Sequence, residues 1–161
     1  MKPIKKIVSM ILVIAIVASI SVSAFAASPT QGVIDQFRNF QLIKQGHIST
    51  YVRIAQRFLL YYNSVTANYI RSNGGVDGSF GKGTYDATVA FQSSVFSNSA
   101  DWDGIVGSNT WEQICRAMDF EDRSGEGTVY NFWLGKDLIL WRVSNIWSVK
   151  GGDGVTYKIY I

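Results

Sequence analysis

The chain has 161 residues and a formal charge of +3, but three of its fifteen basic residues, Lys2, Lys5 and Lys6, precede an apolar N-terminal stretch. The part after residue 26 therefore carries twelve basic and twelve acidic residues, with no basic block. Because nucleic-acid binding needs clustered Lys and Arg to neutralise phosphates, this balance argues against such a partner. Cys115 is the only cysteine, which excludes an intramolecular disulfide framework.

Residues 1–26 have the three-part pattern of a secretory signal peptide. Positive charge is followed by an apolar run from Ile7 to about Ile20, and then by small residues that end in an A-x-A cleavage site, Ala24-Phe25-Ala26. An uncleaved segment would be long enough to anchor the chain in a membrane, since about 20 apolar residues span a bilayer. Cleavage is favoured because the last third of the segment is rich in Ser and Ala.

Two helices are predicted in the first half of the remaining chain. The first runs from Pro29 to Gly46, with apolar residues on one stripe. The second begins at an N-cap, either Ser49 or Thr50. Its core face would hold four residues: Val52, Ala55, Leu59 and Tyr62. Residues 63–75 are mixed and polar, and their Asn-Gly-Gly end indicates a turn.

An internal repeat follows. Residues 77–84 and 103–110 both read D-G-x-(F or V)-G-x-x-T, and each precedes a helical segment. In each copy we expect the Asp side chain to bond backbone amides and the first Gly to take a positive φ in a tight turn. The apolar residue, Phe80 or Val106, would enter the core. Thr84 and Thr110 fall in the first helical turn, where a hydroxyl can satisfy free N–H groups.

The helix after the second copy carries a buried stripe. Its apolar positions follow the spacing i, i+3, i+4, i+7, at Trp111, Ile114, Cys115 and Met118. We therefore expect Trp111 and Cys115 to be core residues, and Cys115 not to be an activated thiolate nucleophile.

The tail changes from helical to β patterning. Strands are predicted at residues 128–134, 138–143, 146–149 and 155–161, separated by turn residues. A sheet this small is not expected to fold independently, so it should pack on the helices. The predicted fold is mainly α with a C-terminal β extension (α+β). Residues 27–120 form the helical domain, 121–127 a linker within the acidic stretch 119–127, and 128–161 a small antiparallel sheet.

The repeat and the helix before it resemble the peptidoglycan-binding-like module of bacterial cell-wall hydrolases. The family pattern is V-x-x-x-Q in a helix, then D-G-x-F-G-x-x-T-x-x-A-V-x-x-F-Q, then D-G-I-V-G-x-x-T-W-x-x-L. The match covers about residues 51–118. Its positions are Val52, Gln56, Asp77, Gly78, Phe80, Gly81, Thr84, Ala87, Phe91, Gln92, Asp103, Gly104, Ile105, Val106, Gly107, Thr110, Trp111 and Ile114. The resemblance implies a three-helix fold and attachment to cell-wall material.

The chain departs from the family pattern near the two loops. Thr88 replaces the usual Val, and the connections 61–75 and 93–102 are longer. Both would border any groove between the loops, and both carry aromatic rings of the kind that stack on sugars. With the loop aspartates, they make up the candidate ligand-binding set: Tyr61, Tyr62, Tyr69, Asp77, Trp102 and Asp103. Trp102 lies between two Asp and is expected to be exposed.

No catalytic or metal-binding constellation is predicted. Aligning Gly104 with the invariant glycine of a calcium loop puts Thr110 where a bidentate Glu is needed. His47 is the only histidine, whereas zinc hydrolases use several His, Asp or Glu ligands. A glycosidase needs two carboxylates across a cleft, and Glu112 is explained equally well by charge compensation at a helix N-terminus.

We therefore expect a secreted, non-catalytic protein that attaches to bacterial cell-wall peptidoglycan through its glycan or stem peptide, without a cofactor. Two alternatives remain open. The sheet carrying Trp133, Trp141 and Trp147 would dock a partner enzyme if those rings are exposed, or the chain is an unrecognised cell-wall hydrolase. Membrane contact is expected only if the signal stays uncleaved.

Overall fold

A computed structural model describes residues 27–123 and 129–161, so the predicted signal peptide lies outside the described part. The helices are α1 Gln31–Arg38, α2 Thr50–Tyr62, α3 Ser64–Arg71, α4 Lys82–Val95 and α5 Ser108–Arg116. The strands are β1 Asp119–Asp122, β2 Val129–Leu134, β3 Asp137–Val143, β4 Ile146–Lys150 and β5 Thr156–Tyr160. Helices followed by an antiparallel sheet confirm the α+β class.

The first helix is shorter than predicted. It ends at Arg38 and does not continue to Gly46, which has a φ of +92°. The prediction was wrong because the segment after α1 pairs with the repeat: Ile43 and Val106 exchange two main-chain hydrogen bonds of 3.2 and 2.9 Å. A second bridge joins the same segment to the first D-G loop. The end of α1 is thus set by tertiary pairing, although the apolar stripe continues past it.

The second helix begins as predicted, and a further helix follows it directly. Ser49 caps α2, with its Oγ accepting from the Val52 N–H at 3.2 Å. Residues 63–75 contain α3, which the mixed composition had concealed. Asn63 ends α2 and starts α3 through a capping box: its Oδ1 accepts from the Thr66 N–H at 2.9 Å, and the Thr66 hydroxyl accepts from the Asn63 N–H at 3.3 Å.

The C-terminal sheet is an antiparallel meander in the order β1-β2-β3-β4-β5. The last four strands match the four predicted ones. β1 corrects the linker prediction, because Asp119–Asp122 is paired with β2. Its acidic composition conceals one buried residue, Phe120, which lies opposite Phe132. Residues 124–127 of the predicted linker are outside the described part of the chain.

Helices and sheet share one aromatic core. The Phe37 ring on α1 lies 5.1 Å from the ring of Phe132 and 5.4 Å from that of Trp147. Phe40 contacts Trp111 on α5 at 5.3 Å and Trp147 on β4 at 5.4 Å. All five rings are buried. Burying one large apolar side chain contributes about 1.5–3 kcal/mol, so this cluster ties the sheet firmly to the helices, as predicted.

Within residues 27–123 and 129–161, no helix is both long enough and apolar enough to cross a membrane.

Candidate functional site

The first D-G loop, residues 77–84, is built around a buried glutamine of the preceding helix. Gln56 on α2 places its Nε2 at 2.8 Å from Asp77 Oδ1 and 3.0 Å from Thr84 Oγ1. The same nitrogen lies 3.0 Å from the carbonyl oxygen of Ser79. Its Oε1 accepts from the Gly78 N–H at 2.8 Å. One side chain therefore holds both ends and the middle of the loop.

The second D-G loop, residues 103–110, repeats this arrangement on the next helix. Gln92 on α4 places its Nε2 at 3.0 Å from Asp103 Oδ1 and 3.2 Å from Thr110 Oγ1. It also donates to the carbonyl of Ile105 at 2.9 Å, and its Oε1 accepts from the Gly104 N–H at 2.8 Å. The sequence repeat is thus a structural repeat with a matching hydrogen-bond pattern.

The loop aspartates act as turn caps, as predicted. Asp77 Oδ1 accepts from the Ser79 N–H, and Asp103 Oδ1 accepts from the Ile105 N–H, both at 2.8 Å. The prediction for the loop threonines was wrong. Their hydroxyls contact the glutamine amides and not free N–H groups of their own helices, because the buried glutamine reaches them from the neighbouring helix.

The first glycine of each loop is required by its conformation and its neighbours. Gly78 and Gly104 have φ values of +82° and +71°, a region that L side chains rarely adopt. A Cβ at Gly104 would overlap the ring of Tyr85, and one at Gly78 would overlap the guanidinium of Arg53. The positive φ predicted for both positions is confirmed.

A groove of about 360 Å³ opens beside the second loop, and we call it the D-G groove. It mixes apolar side chains with carboxylate, amide and hydroxyl groups. Its lining residues are Leu42, Gln92, Phe96, Asp101, Asp103, Ile105, Gly107, Ser108, Asn109 and Thr110. Gln92 and Thr110 are buried, whereas Asp101 and Asp103 are exposed. Apolar contact together with a few fixed polar groups is the usual character of a ligand site.

Trp102 stands at the edge of the D-G groove, between Asp101 and Asp103. It does not itself line the groove, and it is 37% exposed, as predicted. Its indole Nε1 donates to the carbonyl of Phe96 at 3.0 Å, which fixes the ring without burying it. A held, exposed indole loses little freedom when it stacks on a ligand.

A second groove, of about 580 Å³, lies between the helices and the β4–β5 turn, and we call it the junction groove. It is bounded by α2, the end of α3 and glycine-rich segments of both parts of the molecule. Its lining includes four residues with long polar or charged side chains: Arg57, Tyr61, Arg71 and Lys150.

The structure does not bring the predicted tyrosines together with Trp102. Tyr61 lines the junction groove, with the guanidinium of Arg57 at 4.7 Å from its ring centre. Tyr62 packs against Phe91 at 4.9 Å at the margin of the core. Tyr69, on α3, is 39% exposed and lines neither groove. Only Asp103 and Trp102 of the predicted set therefore meet at one place, and Asp77 stays with the first loop.

The candidate nucleophile is inert in this environment. Cys115 is fully buried, and burial raises the pKa of its thiol to about 12, against a smaller opposing effect of the neighbouring Arg116. Within the described residues no hydrogen bond joins Cys115 to His47. Glu112 is engaged by two cations, at 3.3 Å from Arg38 and 2.9 Å from Arg116. The core role predicted for Cys115 is confirmed, whereas Glu112 joins α1 to α5 instead of compensating a helix terminus.

Metal ligands do not cluster in the described ranges. Among residues 27–123 and 129–161, no three His, Cys, Asp or Glu side chains lie close enough together to hold an ion. In each loop aspartate, Oδ1 already accepts a hydrogen bond from a main-chain N–H of the turn.

Sequence reasoning missed two features of these sites. Gln56 and Gln92 entered the prediction only as motif positions, although a polar residue on the core face of each preceding helix is a signal for a buried hub. The junction groove had no such signal, because Arg57, Arg71 and Lys150 come from three separate elements. Their proximity depends on how the sheet docks on the helices.

No protein-family model, no curated protein and no solved structure matches this chain.

Proposed function

We propose that this protein is a secreted, non-catalytic module that attaches to bacterial cell-wall peptidoglycan. In this proposal α2, α4 and α5 form the three-helix, peptidoglycan-binding-like unit, and the sheet is an extension that buttresses it. The observation that carries the proposal is the doubled D-G motif, whose two copies have matching Gln56 and Gln92 hubs. The exported location rests on the signal-like pattern of residues 1–26.

The D-G groove is the proposed contact with the ligand. Trp102 offers an exposed ring for the apolar face of a sugar, and Asp101 and Asp103 supply acceptors for its hydroxyls. The carboxylates also suit an amine or amide of a stem peptide. The buried side chain of Gln92 fixes this site, because it donates hydrogen bonds to Asp103 and to the Ile105 carbonyl.

Retention of the protein on purified sacculi tests the proposal. We expect the protein to sediment with sacculi and Trp102→Ala to weaken the retention about fivefold or more, since stacking on one ring is worth about 1–3 kcal/mol. A protein of similar size and charge serves as the blank. Retention no greater than the blank would overturn the proposal.

A matched aromatic variant separates loss of the site from loss of hydrophobic surface. Tyr160 on β5 is 73% exposed and lies outside the lining of the D-G groove. Tyr160→Ala should leave retention on sacculi unchanged. If Tyr160→Ala and Trp102→Ala weaken retention equally, the D-G groove is not the contact.

Docking of a partner enzyme by the sheet is the second candidate function. The observation that favours it is exposed apolar surface at the sheet margin, at Val143, Val155, Tyr160 and Ile161. The tryptophans predicted for this role are less available, because Trp147 is buried and Trp133 and Trp141 are half-buried. Loss of partner binding in Tyr160→Ala, with sacculus retention intact, would support this function.

A further inference from the structure

The junction groove is lined by positive charge. Arg57 comes from α2, Arg71 from the last turn of α3 and Lys150 from the end of β4, and all three line the groove. Among the described residues that line it, none is Asp or Glu. Three cations from three elements face one cleft of about 580 Å³, whereas the D-G groove carries two carboxylates.

These cations have no carboxylate partner within the described part of the chain. Arg71 and Lys150 are exposed and form no ion pair with any described residue. Arg57 is half-buried, and its Nη2 reaches the carbonyl of Leu138 only at 3.4 Å. Its Nε is buried and has no hydrogen-bond partner among the described atoms. A buried guanidinium N–H without an acceptor costs free energy, and a ligand oxygen that reached it from the groove would remove that cost.

The two aspartates near this region are already engaged. Asp77 accepts two hydrogen bonds on Oδ1 inside the first loop. Asp153, in the β4–β5 turn, accepts from the Tyr157 hydroxyl at 2.6 Å and from the Val155 N–H at 3.0 Å. They reduce the local positive potential, but they do not pair with Arg57, Arg71 or Lys150.

The groove has a built wall. The Gly152 N–H donates to the carbonyl of Val76 at 2.9 Å, which fastens the β4–β5 turn to the approach of the first D-G loop. A Cβ at Gly152 would lie 3.3 Å from the Val76 nitrogen, so a side chain at this position would push the two segments slightly apart. The main-chain segments that carry the cations are therefore fixed relative to each other before binding, and only the exposed side chains of Arg71 and Lys150 remain to be ordered.

We propose that the junction groove binds an oxyanion, a carboxylate or a phosphate group, with Arg57 at its back and Arg71 and Lys150 at its rim. Arginine forks match both groups in geometry, and hydrogen bonds between charged partners are about twice as strong as neutral ones. The proposal goes beyond attachment to peptidoglycan, because this groove is formed in part by the sheet and is separate from the D-G groove.

Binding is tested on the whole protein with inorganic phosphate and acetate as probes and sodium chloride at equal ionic strength as the blank. The glycine amides of the groove, at Gly75, Gly151 and Gly152, report by NMR. We expect saturable shifts of these amides with phosphate or acetate and none with chloride. Absence of saturable shifts with both oxyanions would overturn the proposal.

Variants locate the effect. Arg71→Gln and Lys150→Gln change exposed side chains and should preserve the fold, and each is expected to weaken binding about tenfold. Arg57→Gln should have the larger effect, but it also removes contacts with Tyr61 and Leu138. Lys136→Gln, in the exposed β2–β3 turn, is the matched control and should change nothing. Equal weakening by Lys136→Gln and Arg71→Gln would mean non-specific charge and sink the proposal.

Sacculi distinguish the natural sources of the oxyanion. If Arg71→Gln weakens retention on intact sacculi but not on sacculi stripped of phosphate polymers by hydrofluoric acid, the source is a phosphodiester. If it weakens retention on both, the source is a carboxylate, and either result supports the site. The two proposals fail separately: phosphate binding without sacculus retention contradicts only the proposed function, and retention with no response of the glycine amides contradicts only this inference.

Discussion

The two D-G loops share one construction but have different surroundings. Gln56 and Gln92 make equivalent bonds to Asp, Gly and Thr of their loops. The first loop is approached by the β4–β5 turn, where Gly152 bonds to Val76. The Arg53 guanidinium, packed over Gly78, lies 3.8 Å above the ring of Tyr157. The second loop is instead paired with the segment after α1, through Ile43 and Val106, and it borders the D-G groove.

The difference shows that the motif specifies a scaffold, and that its surroundings decide what each copy does. One copy serves as a docking platform for the sheet, and the other borders the open D-G groove. The same loop construction suits both settings, because the buried glutamine of the preceding helix satisfies main-chain groups of the loop.

Removing Gln56 or Gln92, which hold the two loops, should cause the largest loss of stability. Gln56→Ala and Gln92→Ala each leave a buried glycine N–H without an acceptor and remove one hydrogen bond from a loop carboxylate, so we expect a loss of about 2–4 kcal/mol in the free energy of unfolding. Urea denaturation measures the loss. Gln45→Ala, at an exposed position, is the control and should be near neutral.

The same pair of variants tests the division of roles. Gln56→Ala should also speed hydrogen exchange at the Gly152 amide, because that amide bonds to the approach of the first loop. Gln92→Ala should speed exchange at this amide only through its effect on global unfolding. Equal local deprotection by both variants would contradict the assignment of the sheet to the first loop alone.

Alanine at the loop glycines should have the next largest effect. We expect Gly104→Ala to cost about 1–3 kcal/mol, since it combines a positive φ with overlap of the Tyr85 ring. Gly78→Ala should cost less, because the clashing atoms are the far end of an arginine side chain. Gly81→Ala and Gly107→Ala meet nothing within 4 Å and have no positive φ, so they serve as matched controls in the same denaturation series.

Alkaline pH should lower the stability of the folded protein, because Cys115 is buried in the helix after the second loop. Burial raises the pKa of this thiol from 9.0 to about 12 in the folded protein. Below pH 9 the thiol is neutral in both states, whereas between pH 9 and 12 only the unfolded chain loses the proton. Stability is therefore lost as pH rises, by about 1.4 kcal/mol between pH 8 and 10. Guanidinium unfolding under reducing conditions should show that Cys115→Ala lacks this part of the pH dependence. An identical pH dependence would disprove it.

The smallest effect should be a change in the pKa of Tyr157, at the contact between the sheet and the helix that precedes the first loop. The hydrogen bond from Tyr157 to Asp153 raises the pKa of the tyrosine, and the charge of Arg53 opposes this. Asp153→Asn should lower that pKa and Arg53→Gln should raise it further, as followed by NMR of the Tyr157 ring. Lys136→Gln is the control. A response to Asp153→Asn but none to Arg53→Gln would show that Tyr157 on β5 does not pack against Arg53 of α2.

Local patterns in the sequence predicted much of the fold. The doubled motif located both turns, the glycines of positive φ and the helices that follow, because these depend on neighbouring residues. Alternation and turn residues likewise located four of five strands. β1 and α3 were missed since their signals are a single buried Phe120 and a capping box at Asn63 within polar stretches.

The candidate site was harder to predict, because it depends on contacts between distant segments. Exposure of Trp102 followed from its polar neighbours, but its separation from Tyr61 and Tyr69 did not. The end of α1 at Arg38 was likewise set by pairing of the next segment with the second loop. No pattern along the chain places Lys150 beside Arg57.

The shared aromatic core also has a consequence for the order in which the molecule is made. Synthesis delivers a chain from its amino end, so Phe37 and Phe40 emerge long before Phe132 and Trp147, which pack against them. Contacts this distant in sequence are slow to form. The apolar face of the helices therefore stays uncovered until the last strands have been synthesised. A chaperone that shields this face during that interval would raise the yield of folded protein.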